Sequence, residues 1–133
     1  MSVIDASVVA ELLLDLPLAR TAERHVFDAP RGAAAPDLLN AEVLNVLRRY
    51  ERRHLIDAGR SREALDDLLD LPIARYPTMA VLERAWTLRL NLTAYDAMYA
   101  ALADALGVAV VTADGRFAAA ARRHARIPVV LLG

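Results

Sequence analysis

The 133-residue chain is long enough to bury a sizeable core, and we predict a single domain over residues 1–133. A hydrophobic fraction of 56% with 25% charged residues is typical of a globular protein. The sequence contains no cysteine, which excludes disulfides, zinc–thiolate sites and cysteine nucleophiles. No apolar run reaches the length of a membrane span and no signal-like segment opens the chain, so we expect a cytoplasmic protein without membrane contact.

All 16 basic residues are arginine. The lack of lysine excludes every mechanism that needs a lysine, whereas the planar guanidinium of arginine suits phosphate and carboxylate groups. A net charge of −1 argues against nucleic acid coating the whole surface. Any contact with nucleic acid would therefore be local.

Short apolar segments alternate with helical segments along the chain. The predicted strands are Ser2–Asp5, Ala33–Pro36, Ile73–Arg75, Val108–Val111 and Pro128–Leu132. The predicted helices are Ser7–Leu14, Leu18–Phe27, a long helix from Asp37 to about His54, Ser61–Leu69, Thr78–Leu90, a helix from Thr93 to Gly107, and Arg116–Ala125. This alternation indicates an α/β fold: a three-layer α/β/α sandwich with a central, mostly parallel sheet.

Three local signals refine these elements. Asp37 has the residue type of an N-cap for the long helix, and Gly59 predicts a break before the next helix. The amphipathic segment Thr78–Leu90 is expected to bury the face formed by Met79, Leu82, Ala85 and Trp86.

Acidic residues fall where the predicted strands end. Asp5 ends the first strand and Asp114 follows the fourth. Asp96 lies in the first turn of the helix that precedes the fourth strand, and Gly107 makes that connection tight, so helix start and strand end should share one edge of the sheet. Glu42 lies on the long helix, about 80° from the centre of its apolar stripe. The four acids can therefore meet at one edge.

Four carboxylates in one place repel one another, and each is costly to desolvate. A divalent cation relieves both costs, and oxygen ligands without histidine or cysteine indicate a hard ion such as Mg²⁺ or Mn²⁺. Such an ion suits phosphodiester hydrolysis, because it polarises a phosphoryl oxygen and helps to generate hydroxide.

Each acid also has a purely structural interpretation. Asp5 would cap the following helix, Asp114 would form an Asx turn, Asp96 would complement a helix dipole, and Glu42 would be an ordinary acid at a helix border. The hypothesis of a metal site depends on the conjunction of the four, not on any one of them.

Four motifs, VIDAS, NAEVLNVLRR, LTAYDAMYAALA and VVTADGRF, occur in this order over essentially the whole chain. In order and spacing they resemble a PIN domain, specifically a VapC-type ribonuclease toxin of a toxin–antitoxin pair. The resemblance implies that Asp5, Glu42, Asp96 and Asp114 form the family's acidic quartet. Asp5 and Asp96 would be the firmest metal ligands, and Glu42 and Asp114 would complete the site.

The resemblance has further implications. Ser7 and Thr112 match hydroxyl positions beside the first and fourth acids and would donate hydrogen bonds there. The activity would be Mg²⁺- or Mn²⁺-dependent endonucleolytic cleavage of RNA by a metal-activated water. The partners would be the RNA substrate and a cognate VapB-like antitoxin, in a homodimer or a toxin–antitoxin hetero-oligomer.

Two arginines are candidates for RNA phosphate. By the helical period, Asn45 and Arg49 share Glu42's flank of the long helix, one and two turns further on. Arg116 follows Asp114 by two residues. Alternatively, the RRYERR segment is a solvated helix end, or these arginines contact acids of an antitoxin.

Other classes of protein fit less well. Receiver-type signalling domains also have acids at the ends of strands. By resemblance within that class they need a lysine late in the chain, and this sequence has no lysine. Neither a P-loop nor a dinucleotide fingerprint is present among the scattered glycines. Two alternatives stay open: a metal-dependent phosphatase acting on small substrates, and a catalytically silent binding module.

Overall fold

Five strands and seven α-helices alternate along residues 1–133, all of which the computed structural model describes. The strands are β1 (Ser2–Ile4), β2 (Ala33–Pro36), β3 (Ile73–Tyr76), β4 (Ala109–Thr112) and β5 (Val129–Leu131). The helices are α1 (Ala6–Leu13), α2 (Ala19–Phe27), α3 (Leu38–Arg52), α4 (Ala58–Asp70), α5 (Leu82–Thr87), α6 (Ala94–Leu106) and α7 (Gly115–Ala120). A 3₁₀ turn (Thr78–Val81) precedes α5, and a π-helical turn (Ala121–Ala125) follows α7.

The strands form one sheet in the order β3-β2-β1-β4-β5, and every neighbouring pair is parallel. Helices α1 to α4 pack on one another, and α5, α6 and the segment after α7 form a second group. Right-handed crossovers place these groups on opposite faces of the sheet. The predicted three-layer α/β/α sandwich is confirmed.

The core explains the alternation of apolar strands and helices. Val3, Ile4, Val110 and Val111 in the two central strands are at most 1% exposed, because both faces of the sheet are covered. Helix α6 lies against β1, β2 and β4, and most of its alanines are buried. Small side chains let this helix approach the sheet closely. None of the helices is both long and apolar enough to cross a membrane.

Gly107 makes the predicted tight connection between α6 and β4. It caps α6 in the left-handed conformation with φ of 67°, which a residue with a Cβ rarely adopts. The helix begins where predicted: the hydroxyl of Thr93 accepts a hydrogen bond from the Asp96 amide at 3.2 Å and caps the start of α6.

Two local predictions about helix starts need correction. Asp37 occupies the N-cap position of α3 as predicted, but its side chain makes no capping hydrogen bond to that helix; its Oδ1 instead accepts a hydrogen bond from the Thr78 amide at 3.3 Å and joins the ends of two strands. Gly59 does not break the chain but lies in the first turn of α4. Asp57 starts that helix earlier, because its carboxylate accepts a hydrogen bond from the Arg60 amide at 2.8 Å.

The segment Thr78–Leu90 differs from the prediction of one helix with a buried face. It forms a 3₁₀ turn followed by the short helix α5, and of the four expected core residues only Ala85 is buried. Met79 is 78% exposed, Trp86 67% and Leu82 39%. The amphipathic pattern is present, but nothing in this chain covers most of its apolar face. The predicted final helix, Arg116–Ala125, also differs from a regular α-helix, because it changes from α to π geometry at Ala121.

Candidate active site

The candidate site lies where the strand order reverses. Successive strands extend the sheet to one side of β1 as far as β3, and the chain then crosses to β4 on the other side. Ligands of open parallel sheets bind beyond the carboxyl ends of strands at such a point. Asp5 directly follows β1 and Asp114 follows β4 by two residues, so both lie beside this crevice.

The charges of three of the predicted acids raise the pKa values of Glu42 and Asp96. The carboxylates of Asp5 and Asp96 each raise the pKa of Glu42, and those of Asp114 and Asp5 raise the pKa of Asp96. Such effects require that the charges lie within range of one another. The structure therefore places Asp5, Glu42, Asp96 and Asp114, from four different parts of the chain, in one region beside the sheet edge.

Asp5 is held in place by hydrogen bonds to both of its carboxylate oxygens. Oδ1 accepts from the Ser7 amide at 3.1 Å, the Ser7 hydroxyl at 2.5 Å and the Val8 amide at 3.2 Å. Oδ2 accepts from the Thr112 hydroxyl at 2.5 Å. The residue is only 6% exposed, and these donors offset part of the cost of burying its charge.

The two hydroxyl residues predicted beside the acids both meet Asp5. Ser7 Oγ also accepts a hydrogen bond from the Ala113 amide at 2.8 Å and lies 3.3 Å from Thr112 Oγ1. Thr112 Oγ1 accepts from the Asp114 amide at 3.0 Å, but it makes no hydrogen bond to the Asp114 carboxylate. Ser7 and Thr112 thus connect the end of β1, the start of α1 and the turn after β4.

Two of the acids also have the structural role considered as an alternative. Asp5 caps α1, and Asp114 caps α7 by accepting hydrogen bonds from the Arg116 and Phe117 amides at 2.9 and 3.3 Å. Capping occupies Oδ1 of each carboxylate and fixes its orientation. It does not remove either acid from the cluster, since their charges still act on Asp96.

Burial raises the pKa of three acids above their ordinary values, and like charge adds to the effect at two of them. Burial raises the pKa of Asp5, although the hydrogen bonds from Ser7 and Thr112 oppose the change. Burial also raises the pKa of Glu42, reinforced by the charges of Asp5 and Asp96. For Asp96, burial together with the charges of Asp114 and Asp5 raises the pKa to about 6. None of the three ion pairs in the structure involves these acids, so no arginine offsets their repulsion.

One residue of the site was not identified from the sequence. The hydroxyl of Tyr99 donates a hydrogen bond to Glu42 Oε1 at 2.7 Å, and the tyrosine is only 1% exposed. Burial and the Glu42 carboxylate raise the pKa of Tyr99, so its hydroxyl stays a donor. The available signal was a phenol three residues after Asp96 with apolar neighbours on both sides in the chain, because a buried phenol needs a partner.

The donor chemistry of the cluster fits a hard divalent ion. It consists only of carboxylates, which repel one another and lack a cationic partner. However, no three acidic or histidine side chains in the structure are already arranged to hold a metal ion. Coordination by three or more of these acids would therefore require the carboxylates to move towards one another.

The arginine candidates lie outside the cluster. Arg49 and Arg116 are exposed, and neither side chain forms an ion pair. Arg49 lies seven residues after Glu42, about 10 Å along the α3 axis. It lines an open depression of about 390 Å³ whose other lining residues are Asn45, Arg48, Arg52 and Arg53. No acidic side chain lines this depression.

Two other acids have local partners. Asp104 accepts a hydrogen bond from Arg84 at 2.9 Å and forms an ion pair with it. Glu11 Oε2 accepts from the Leu18 amide at 2.9 Å, near the start of α2. Neither residue belongs to the cluster.

Comparison with known proteins identifies the fold and family. The sequence model of the PIN domain matches residues 2–123. Ribonuclease VapC9 of Mycobacterium tuberculosis (strain H37Rv) is 40% identical over 134 residues, which cover 98% of each chain. Ribonuclease VapC12 of the same strain is 35% identical over 132 residues, 98% of this chain and 99% of that protein.

Solved structures show the same architecture. The crystal structure of PAE2754 from Pyrobaculum aerophilum has a TM-score of 0.63 and 26% identity, covering 90% of this chain and 84% of that one. Mycobacterium tuberculosis VapC20, a sarcin–ricin loop cleaving toxin, has a TM-score of 0.68 over 90% of this chain and 95% of that one. Its identity of 20% supports the fold alone.

An α/β/α sandwich with clustered acids at the switch point of its sheet, together with the match over residues 2–123, makes this chain a member of the PIN domain family. Within that family it belongs to the VapC group, as the full-length similarity to VapC9 and VapC12 shows.

The raised pKa of Asp96 predicts how pH affects the stability of the metal-free protein. A carboxyl with a pKa raised from 3.8 to about 6 in the folded state contributes stability below about pH 4, and this contribution is lost as pH rises through 6. Relative to Asp96→Asn, the metal-free wild type should therefore gain thermal stability as pH falls from about 7.5 to about 5. Thermal melts in EDTA measure this difference. A difference in Tm between wild type and Asp96→Asn that does not change with pH would contradict the raised pKa of Asp96.

Proposed function

We propose that this chain is a metal-dependent endoribonuclease, a single PIN domain that acts as the toxin of a toxin–antitoxin pair. The observation that carries the proposal is the convergence of Asp5, Glu42, Asp96 and Asp114 at the switch point of the sheet. The full-length similarity to proteins named ribonucleases supports it and favours RNA over a small phosphorylated substrate.

Asp5 and Asp96 would hold Mg²⁺ or Mn²⁺, with Glu42 and Asp114 completing the site. When bound, the ion would polarise the phosphoryl oxygen and lower the pKa of a water molecule. The protein contributes the orientation of the ligands. The hydroxyls of Ser7 and Thr112 hold Asp5 through both oxygens and favour its charged form, against the effect of burial.

The arginines of α3 are proposed to bind the RNA backbone. Arg49 lies in line with Glu42 on the helix, and it shares its depression with three further arginines and no acid. Unpaired guanidinium groups attract phosphate and release counterions on binding. Arg116, at the start of α7 beside Asp114, is proposed to bind a phosphate nearer the cleaved bond.

Arg49→Ala is expected to weaken RNA binding and to reduce its dependence on salt. Loss of one phosphate contact should lower the slope of log affinity against log salt by about 0.7 for a single strand. The slope is measured by fluorescence anisotropy with RNA in an Asp96→Asn background, which prevents cleavage. Arg20→Ala, an exposed arginine on α2, is the matched control. Equal slopes for Arg49→Ala and the control would contradict a contact between Arg49 and an RNA phosphate.

Exposed apolar side chains support the proposed partners. Phe27 at the end of α2 is 51% exposed and Leu69 on α4 is 69% exposed. Large exposed apolar groups mark surfaces that other chains cover. A VapB-like antitoxin and a second copy of the toxin are the proposed partners, in a homodimer or a hetero-oligomer.

The proposed activity is tested by incubating purified protein with cellular RNA in the presence of Mg²⁺ or Mn²⁺. We expect discrete internal cleavage products, mapped by primer extension. Hydrolysis of small phosphate esters with intact RNA would instead support the phosphatase alternative. A small antitoxin-like reading frame immediately upstream would further favour the toxin.

A further inference from the structure

The Tyr99 hydroxyl has one hydrogen-bond partner in the structure, and that partner is an acid of the site. It donates to Glu42 Oε1 at 2.7 Å, and no other hydrogen bond involves either the phenol or the Glu42 carboxylate. Tyr99 is the largest fully buried side chain of the protein. Its ring is fixed by the core, so the position of its hydroxyl is fixed as well.

The bond joins two helices whose main packing partners have only β2 in common. Helix α3, which carries Glu42, packs mainly on α1, α4 and β2, whereas α6 packs on α5 and the central strands. Tyr99 follows Asp96 by three residues, so the two side chains are neighbours on one side of α6. Helix α6 thus supplies Asp96 and, through Tyr99, also holds Glu42, which faces Asp96 from α3.

This arrangement determines what Glu42 can offer a ligand. A glutamate has three side-chain torsions, and ordering them on binding costs conformational entropy. The phenol occupies Oε1 and restricts the carboxylate, while Oε2 accepts no hydrogen bond from the protein. Groups that orient metal ligands in this way commonly change metal affinity 10–100-fold when removed.

We propose that Tyr99 is a positioning residue that orients the Glu42 carboxylate so that Oε2 faces a divalent cation shared with Asp96. This inference rests on the proposed metal-dependent nuclease and deepens it. Tyr99 itself touches neither the ion nor the RNA; it acts through Glu42.

The test is a calorimetric titration of Mn²⁺ into metal-free wild type, Tyr99→Phe and Tyr95→Phe. Phenylalanine keeps the buried ring and removes only the hydroxyl. We expect the Kd for Mn²⁺ to rise about 10-fold in Tyr99→Phe. Tyr95→Phe, on the same helix but 62% exposed, should match the wild type. In RNA cleavage, saturating Mn²⁺ should restore kcat in Tyr99→Phe while the KM for RNA stays unchanged.

A double-mutant cycle separates positioning from packing. In a Glu42→Gln background, Tyr99→Phe should have no further effect on the Kd for Mn²⁺, because the carboxylate that Tyr99 orients is gone. An equal loss in both backgrounds would overturn the proposal, as would a wild-type Kd in Tyr99→Phe. Failure of the wild type itself to bind Mn²⁺ would instead contradict the proposed metal site, and this inference with it.

If Tyr99→Phe did not fold, Glu42→Gln alone would decide the question. An amide can still accept the Tyr99 hydrogen bond but carries no charge for a cation. Glu42→Gln should fold as the wild type does and raise the Kd for Mn²⁺ at least as much as expected for Tyr99→Phe. An unchanged Kd in Glu42→Gln would overturn the proposal, since Glu42 would then not face the ion.

Discussion

Replacing Asp96 by Asn is expected to lower the rate of RNA cleavage at least about 100-fold, which corresponds to about 2.7 kcal/mol of transition-state stabilisation. The substitution keeps the size of the side chain and the Thr93 cap at the main-chain amide of residue 96. It removes the charge that interacts with Asp114 and Asp5. Loss of one anionic ligand weakens cation binding, and with it the polarisation of the phosphate.

The matched control for this prediction is Asp104→Asn. Asp104 lies on the same helix two turns further on, is exposed, and pairs with Arg84 outside the cluster. A surface ion pair of this kind contributes at most about 1 kcal/mol to stability, so cleavage by the control should stay close to that of the wild type. Cleavage is measured as initial rates on one RNA at saturating metal. Equal losses in the two variants would mean that the effect comes from the helix, not the site.

Removing divalent cations is expected to abolish cleavage by the wild type, and adding Mn²⁺ is expected to restore it. Burial disfavours the charged forms of Asp5, Glu42 and Asp96, and like charge adds to this at Glu42 and Asp96; a cation offsets both effects. For the same reason, Mn²⁺ should raise the Tm of the wild type at about pH 7.5 more than at about pH 5, where protons compete for the carboxylates.

The measurement is RNA cleavage after dialysis against EDTA, with Mn²⁺ added back in steps. Melts with and without Mn²⁺ at both pH values provide a readout that does not depend on activity. Undiminished cleavage by thoroughly metal-depleted protein would contradict a metal-dependent mechanism.

The fold was largely predictable because strands that are buried on both faces of a sheet appear in the sequence as continuous apolar runs. The strand that contains Val110 and Val111 is a continuous apolar run followed by an acid, and Gly107 marks the turn before it. The exposure of Trp86 was not predictable. An amphipathic pattern identifies an apolar face, but whether the same chain covers that face depends on tertiary packing.

The positions of the acids followed from topology. In a parallel sheet Asp5 and Asp114 must lie at the same edge once β1 and β4 are neighbours. The Tyr99–Glu42 hydrogen bond could not be predicted in this way, since it joins residues 57 positions apart on two helices. Its formation depends on the relative placement of α3 and α6, which no local signal in either helix determines.

The most direct test of the central claim is the affinity of the four-acid cluster for Mn²⁺, measured by calorimetry on wild type, Asp96→Asn and Asp104→Asn under identical conditions. The account predicts binding by the wild type and by Asp104→Asn, and at least about 10-fold weaker binding by Asp96→Asn. Equal affinity in all three proteins would show that Mn²⁺ binds elsewhere, and would contradict a cation site formed by Asp5, Glu42, Asp96 and Asp114.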